Sequence, residues 1–101
     1  MKIIYCIVNV THLESFSETI RTSGITDFQI IEQLYTEFSK GDPRMNTHVW
    51  PGFSSAIIAQ TEDKDKIQLI LDEAKTHNKN RNNDDEIIRV YVWKTEDYIT
   101  D

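Results

Sequence analysis

Two segments near the ends of the chain carry apolar side chains at both odd and even positions. In residues 2–10 (KIIYCIVNV), one alternating set contains Ile3, Tyr5 and Ile7, and the other contains Ile4, Cys6, Val8 and Val10. Residues 86–93 (EIIRVYVW) repeat this arrangement. β-Branched and aromatic residues favour strands, and a strand that is apolar on both sides needs cover on both faces. The pattern predicts that both segments are strands covered on both faces.

Helical spacing of apolar residues predicts two helices, at 11–23 and 61–77. In the first, Thr11 and Glu14 have the spacing of a capping box, and Gly24 offers a stop. In the second, Thr61 is the expected N-terminal cap, followed by acidic residues that suit a helix start.

Period-two alternation predicts a further strand at 27–38, and residues 54–60 (SSAIIAQ) are predicted to form a short strand. Residues 40–52 (KGDPRMNTHVWPG) contain two prolines and two glycines, which predicts a long loop. Residues 78–85 (NKNRNNDD) have no apolar side chain, which predicts an exposed, mobile connection.

The predicted order is β-α-β-β-α-β, and 101 residues suffice for one domain. We therefore expect a single α+β domain over 1–101, a ferredoxin-like βαββαβ sandwich with an antiparallel four-stranded sheet and two helices on one face. The second sheet face needs another cover. A copy of the same chain is one candidate, and the tail or the long loop folding back is the other.

Charge and cysteine content narrow the functional classes. The formal net charge is −6 and the pI is about 4.9, which argues against a nucleic-acid-binding surface. The single cysteine, Cys6, lies in an apolar run and is expected in the core, which fits a cytoplasmic protein. We see no targeting or membrane-inserting segment, and the sequence identifies no cofactor.

Cationic and aromatic residues of the 40–52 loop are the first candidates for a binding site. Lys40, Arg44 and His48 would supply donors for a small anion such as a nucleotide phosphate or bicarbonate, although a solvated loop also explains them. Trp50 would stack on a planar ligand or anchor the base of the loop with Phe53.

Three more cations lie toward the end of the chain. Lys79 and Arg81 would contact phosphate groups through side-chain charge, or simply be solvated. Arg89 interrupts an apolar strand, so we expect it to pair with Glu32, Glu37 or a neighbouring subunit, with a ligand contact as the alternative. His12, His48 and His77 form no short-spaced metal motif, and a metal site would have to be built around His48.

Residues 49–71, which include WPGFSSAIIAQTEDKDKIQLIL, resemble the PII-like signalling superfamily in having a proline-glycine turn, a small-residue strand and an acidic start to an apolar helix. EIIRVYVWKTEDYI looks like the last strand of that family and its acidic extension, and KGDPRMNTHVW occupies the place of its long loop. The resemblance implies a homotrimer with adenine-nucleotide sites in the clefts between subunits, and a loop that contacts a protein target. It also implies a sensor rather than an enzyme.

The connection NKNRNNDDEII lacks the glycines with which the family cradles phosphate, so Lys79 and Arg81 would have to substitute for them. Two other readings of the same framework stay open. One is a dimeric α/β-barrel enzyme with Asn9 or Tyr5 in a covered pocket, and the other is a metal-responsive trimer resembling the divalent-cation tolerance proteins.

Overall fold

All six predicted elements are present in the computed structural model, which describes residues 1–100. The strands are β1 (Lys2–Asn9), β2 (Asp27–Leu34), β3 (Ser54–Thr61) and β4 (Arg89–Lys94), and the helices are α1 (Leu13–Thr22) and α2 (Lys64–Lys79). Short 3-10 turns at Val10–His12 and Asp84–Glu86 precede α1 and β4. Within residues 1–100, neither α1 nor α2 is long and apolar enough to cross a membrane.

The strands form one antiparallel sheet in the order β2-β3-β1-β4. This confirms the predicted ferredoxin-like architecture. Both helices pack on one face, where the core includes Ile4, Cys6 and Ile57 from the strands and Ile20 and Ile70 from the helices. Cys6 is buried as expected, and its burial raises the pKa of the thiol to about 12.

Alternate residues of the strands form rows that face opposite sides of the sheet. Cys6 lies between Val90 and Ile57 on the helix side, whereas Tyr5 lies between Tyr91 and Ile58 on the other side. We call this second side the open face. Tyr91 is 47% exposed and Trp93 is 48% exposed, so this part of the face has no complete cover within residues 1–100.

The helix caps differ from the predicted ones. The Thr11–Glu14 capping box is wrong, because Thr11 donates both its backbone N–H and its hydroxyl to Asn9 Oδ1, each at 3.1 Å. Asn9 thus caps the 3-10 turn, and α1 begins only at Leu13. At α2 the cap is Asp63 rather than Thr61, since Asp63 Oδ1 accepts from Asp65 N at 2.9 Å.

Two predicted strand boundaries are also wrong. β2 ends at Leu34 rather than 38, because its register with β3 shifts after Ile31. β4 begins at Arg89 rather than 86, since the preceding residues form the Asp84–Glu86 turn.

The 78–85 connection is largely exposed, as predicted, and its side chains hydrogen-bond to nearby backbone groups. Helix α2 extends to Lys79, and the Asn78 side chain accepts from Ile88 N at 2.7 Å and donates to Ile88 O at 2.8 Å. Asn83 caps the next turn by accepting from Asp85 N at 2.9 Å. These asparagine side chains satisfy nearby backbone groups, so the polar stretch is hydrogen-bonded although it contains no apolar residues.

Candidate functional site

The backbone folds the long connection between β2 and β3 into two parts. Thr36 and Arg44 exchange backbone hydrogen bonds of 3.0 and 2.8 Å, which closes residues 36–44 beside the end of the sheet. We call this segment the loop base. Farther along, Asn46 N donates to Gly52 O at 2.7 Å, and residues 45–52 form the loop tip.

A small pocket lies between the loop base, the Asp84–Glu86 turn and the first residue of β4. Its cavity volume of about 20 Å³ holds a single water. Its charged lining residues are the cations Lys40, Arg44 and Arg89 and the acids Asp42, Asp84 and Asp85. The formal charges of these side chains cancel, and the pocket of one chain is too small for a nucleotide.

Arg89 is held by the loop base rather than by a carboxylate. Its guanidinium carbon lies 3.7 Å from the centroid of the Phe38 ring, and Nη2 donates to Lys40 O at 3.1 Å. The expected ion pair with Glu32 or Glu37 is therefore wrong. Desolvation lowers the pKa of Arg89 below its ordinary value, which reflects the partial burial of this cation against the sheet.

Asp85 connects the turn before β4 to the loop base. Its Oδ1 accepts from Asp42 N at 2.6 Å, and its Oδ2 lies 3.9 Å from Arg44 Nη2. The first contact is a charge-assisted hydrogen bond, and the second is an ion pair without direct hydrogen bonding.

Gly41 allows this close approach of the two segments. Its φ of +88° favours glycine, and a Cβ atom there would lie 3.0 Å from both Asp84 O and Asp85 Oδ1. A side chain at this position would push the loop base away from the turn.

Of the seven predicted site residues, Lys40, Arg44 and Arg89 come together and the other four lie outside the pocket. His48 and Trp50 are exposed in the loop tip. Lys79 is exposed at the end of α2, and Arg81 is engaged with Asp84 Oδ1 at 3.1 Å and Asn78 O at 2.8 Å.

Three residues that shape this pocket were not among the predicted ligand-binding residues: Asn9, Phe38 and Asp85. Asn9 Nδ2 donates to Asp85 O at 3.3 Å, which joins the end of β1 to the turn. The signal for Asn9 was a polar residue in an apolar strand. Nothing in the local pattern indicated that Phe38 or Asp85 would meet residues more than 40 positions away.

The fold also brings His12 and His77 together beside Glu86, the last residue of the turn before β4. Their ring centroids lie 4.7 Å apart, and Glu86 contacts both residues, through Oε1 to His12 Nε2 at 3.3 Å and through its backbone O to His77 Nε2 at 2.7 Å. The backbone N–H of Asn82 and the side chain of His12 lower the pKa of Glu86. Within residues 1–100, no group of three or more His, Cys, Asp and Glu side chains is arranged to hold a metal ion.

The sheet order and the placement of both helices define a ferredoxin-like α+β protein. Its fold is, more specifically, that of PII-like proteins, because solved PII-like structures superimpose on nearly the whole chain. CPII, a nitrogen regulatory PII-like protein from Thiomonas intermedia K12 bound to ADP, AMP and bicarbonate, matches with a TM-score of 0.68 and 15% identity over 91% of this chain and 84% of CPII. CPII bound to ADP and bicarbonate matches with a TM-score of 0.64 and 13% identity over the same shares.

A protein from Thermus thermophilus that is assigned to the PII-like signaling class matches with a TM-score of 0.58 and 12% identity, over 91% of this chain and 83% of that one. No protein-family model matches the chain, and no curated protein matches it in sequence. The likeness is thus one of fold, at an identity too low to carry over any single residue.

Proposed function

We propose that this protein is a PII-like regulatory protein that binds a small anionic effector, with adenine nucleotides as the first candidates. The PII-like fold supports this proposal, as does the neighbour CPII, whose structures contain ADP, AMP and bicarbonate. The role is binding and signalling rather than catalysis, in line with the description of CPII as nitrogen regulatory. We expect it to act in the cytoplasm.

The observation that carries the proposal is the meeting of the loop base with the Asp84–Glu86 turn around Lys40, Arg44 and Arg89. A ligand bound there contacts the long loop directly. Its binding energy then favours one position of the loop over another, and this preference is what a signalling protein needs.

The proposed effector site is larger than the pocket of one chain. A cavity of about 20 Å³ does not accept ADP, so the nucleotide would lie in a cleft that a neighbouring subunit completes. In this proposal Lys40, Arg44 and Arg89 form the anion-binding side. Lys79, Arg81, His48 and Trp50 would reach the ligand from the rim of the cleft or after movement of the loop.

We propose a homotrimer, in which the open face of each sheet is covered by the other subunits. The half-exposed rings of Tyr91 and Trp93, together with Ile3, Tyr5 and Ile58, provide the apolar surface for this contact. A self-complementary assembly of identical chains covers such a face without a second protein.

The loop tip is the proposed contact for a protein target. Val49 is 71% exposed and Trp50 is 42% exposed, next to the Pro51-Gly52 turn. Aromatic side chains are common anchors of protein interfaces, and this one lies on the segment whose base would contact the effector.

Thermal unfolding with ADP, AMP and sodium bicarbonate, together with light scattering, tests the proposal. A ligand at 100 times its Kd stabilises the fold by about 2.7 kcal/mol, which is several degrees for a domain of this size. We expect a shift with at least one ligand and a mass three times the 11.8 kDa of the chain.

Arg44→Gln should weaken the shift, whereas Lys75→Gln should not, because Lys75 is exposed on α2 away from the pocket. The absence of any shift, or equal shifts in the two variants, would contradict the proposed site. A mass of 11.8 kDa at micromolar concentration would contradict the trimer.

A further inference from the structure

The three consecutive acids before β4 have different kinds of partner. Asp84 pairs with Arg81 in the same connection, and Glu86 accepts from Asn82 N at 2.8 Å and contacts His12. The partners of the Asp85 carboxylate both belong to the loop base, more than 40 positions away in the chain. Asp85 is therefore the acid whose side chain spans the pocket.

The donors around the Asp85 carboxylate are those that bind an oxoanion. A backbone N–H, from Asp42, points at one oxygen at 2.6 Å, and the guanidinium of Arg44 lies 3.9 Å from the other. Backbone amides and arginine side chains bind phosphate, bicarbonate and carboxylate groups in the same way. The carboxylate occupies the position that an anionic ligand of this pocket would take.

The backbone of Asp85 is fixed independently of the loop. Its N–H donates to Asn83 Oδ1 at 2.9 Å, and its carbonyl accepts from Asn9 Nδ2 at 3.3 Å. Displacement of the carboxylate therefore requires only rotation of its side chain or movement of the loop base. The turn itself stays attached to the sheet.

Gly41 provides independent support, because the loop base lies against the turn only with glycine at this position. Its positive φ and the 3.0 Å approach of its Cβ position to Asp85 Oδ1 leave no room for a side chain. The loop base can therefore reach the Asp85 carboxylate only in the backbone conformation that Gly41 adopts.

We propose that the Asp42 amide and the Arg44 guanidinium form an oxoanion-binding position, which the Asp85 carboxylate fills in the ligand-free protein. An effector anion displaces this carboxylate and thereby frees the loop base from the turn. The inference rests on the proposed function and adds its regulation: Asp85 is an internal competitor that sets both the anion affinity and the closed state of the loop.

The first experiment measures how firmly the loop base is held against the turn in the ligand-free protein. Hydrogen exchange of the Asp42 amide is followed by NMR in wild-type protein, Asp85→Ala, Asp85→Asn and Gly41→Ala. We expect at least about tenfold faster exchange in Asp85→Ala, because the charge-assisted hydrogen bond is lost. Gly41→Ala should also accelerate exchange, since it separates the same contact without changing any charge.

Asp84→Asn is the matched control. It removes one negative charge next to Asp85 in the same pocket, and the Asp84 carboxylate contacts Arg81 rather than the loop base. The Asp42 amide of this variant should exchange near the wild-type rate, so any change in Asp85→Ala reports the contact itself.

The second experiment measures binding of sodium phosphate, sodium bicarbonate and ADP by calorimetric titration. We expect about tenfold tighter binding of at least one anion to Asp85→Ala, because the competing carboxylate is gone. Asp84→Asn should change the affinity no more than about twofold, as expected for a screened charge.

Unchanged Asp42 exchange in Asp85→Ala would overturn the inference. Faster exchange with affinities equal to those of Asp84→Asn would also overturn it, while leaving the proposed function in place because the anions still bind. Binding to Asp85→Ala but not to wild-type protein would support the internal competitor and remove the tested anion as the effector. If no anion binds any variant, both the inference and the proposed function fail.

Discussion

The two faces of the sheet differ in what covers them, although both carry apolar side chains. On β3, Ile57 faces the helices and is fully buried, whereas its neighbour Ile58 faces the other way and keeps partial exposure. The helix face is closed by residues of α1 and α2 from the same chain. The open face leaves Tyr91 and Trp93 about half exposed.

The chain itself covers one end of the open face with the loop base. There the loop base places Phe38 against Arg89, and Ile7 is only 8% exposed. At the other end, near Trp93, the rings remain accessible. A strand that is apolar on both sides therefore predicts a sheet with cover on both faces. It does not predict whether the second face is covered by a loop of the same chain or by another subunit.

Ile57→Ala should cause the largest loss of stability. Removal of a fully buried side chain between the sheet and the helices leaves a cavity and costs about 2–5 kcal/mol in the free energy of unfolding. Urea denaturation measures this cost. A loss below about 1 kcal/mol would contradict the close packing of Ile57 between the sheet and the helices.

Ile58→Ala is the matched variant on the open face. If the open face is covered by other subunits, its cost should shrink when the protein is diluted below the dissociation concentration of the assembly, because only the assembled state buries Ile58 fully. The cost of Ile57→Ala should not change on dilution. Equal dependence on concentration for the two variants would contradict the proposed difference between the faces.

Asn78→Ala should have the next largest effect, by separating α2 from the residue just before β4. The variant removes the two side-chain hydrogen bonds to Ile88, at 2.7 and 2.8 Å, and leaves a buried backbone pair without partners. We expect a loss of about 2 kcal/mol in urea denaturation. Asn80→Ala removes a bond to Thr76 O on an exposed helix end and should cost clearly less. Equal costs would contradict the role of Asn78 in holding β4.

The elements of the fold were predictable because they depend on local pattern. Short strand-forming runs at β1, β3 and β4, alternation along β2 and helical spacing along α1 and α2 gave the correct order, sheet type and helix layer. The capping box at Thr11 was wrong because Asn9 competes for the same donors. The end of β2 was wrong because its alternating pattern continues beyond the register shift after Ile31.

The candidate site was predictable only in its cations. Lys40, Arg44 and Arg89 stood out by charge and position, but their partners depend on contacts between distant segments. Asp42 meets Asp85 across 43 positions and Lys40 meets Arg89 across 49, and these pairings follow from the sheet order rather than from spacing. The expectation that Arg89 needs a carboxylate overlooked the face of Phe38 as a partner for a cation.

The N-terminus of α2 provides the smallest and most specific test of the helix face. Asp63→Ala removes the side chain that accepts from Asp65 N and Lys66 N, and should cost about 1 kcal/mol in the free energy of unfolding. Thr61→Ala should cost less, because Thr61 Oγ1 accepts only from Asp63 N, outside the helix. Urea denaturation of both variants distinguishes the two caps. A larger loss for Thr61→Ala would identify Thr61 as the N-terminal cap, as predicted from the sequence. It would also mean that α2 begins before Lys64.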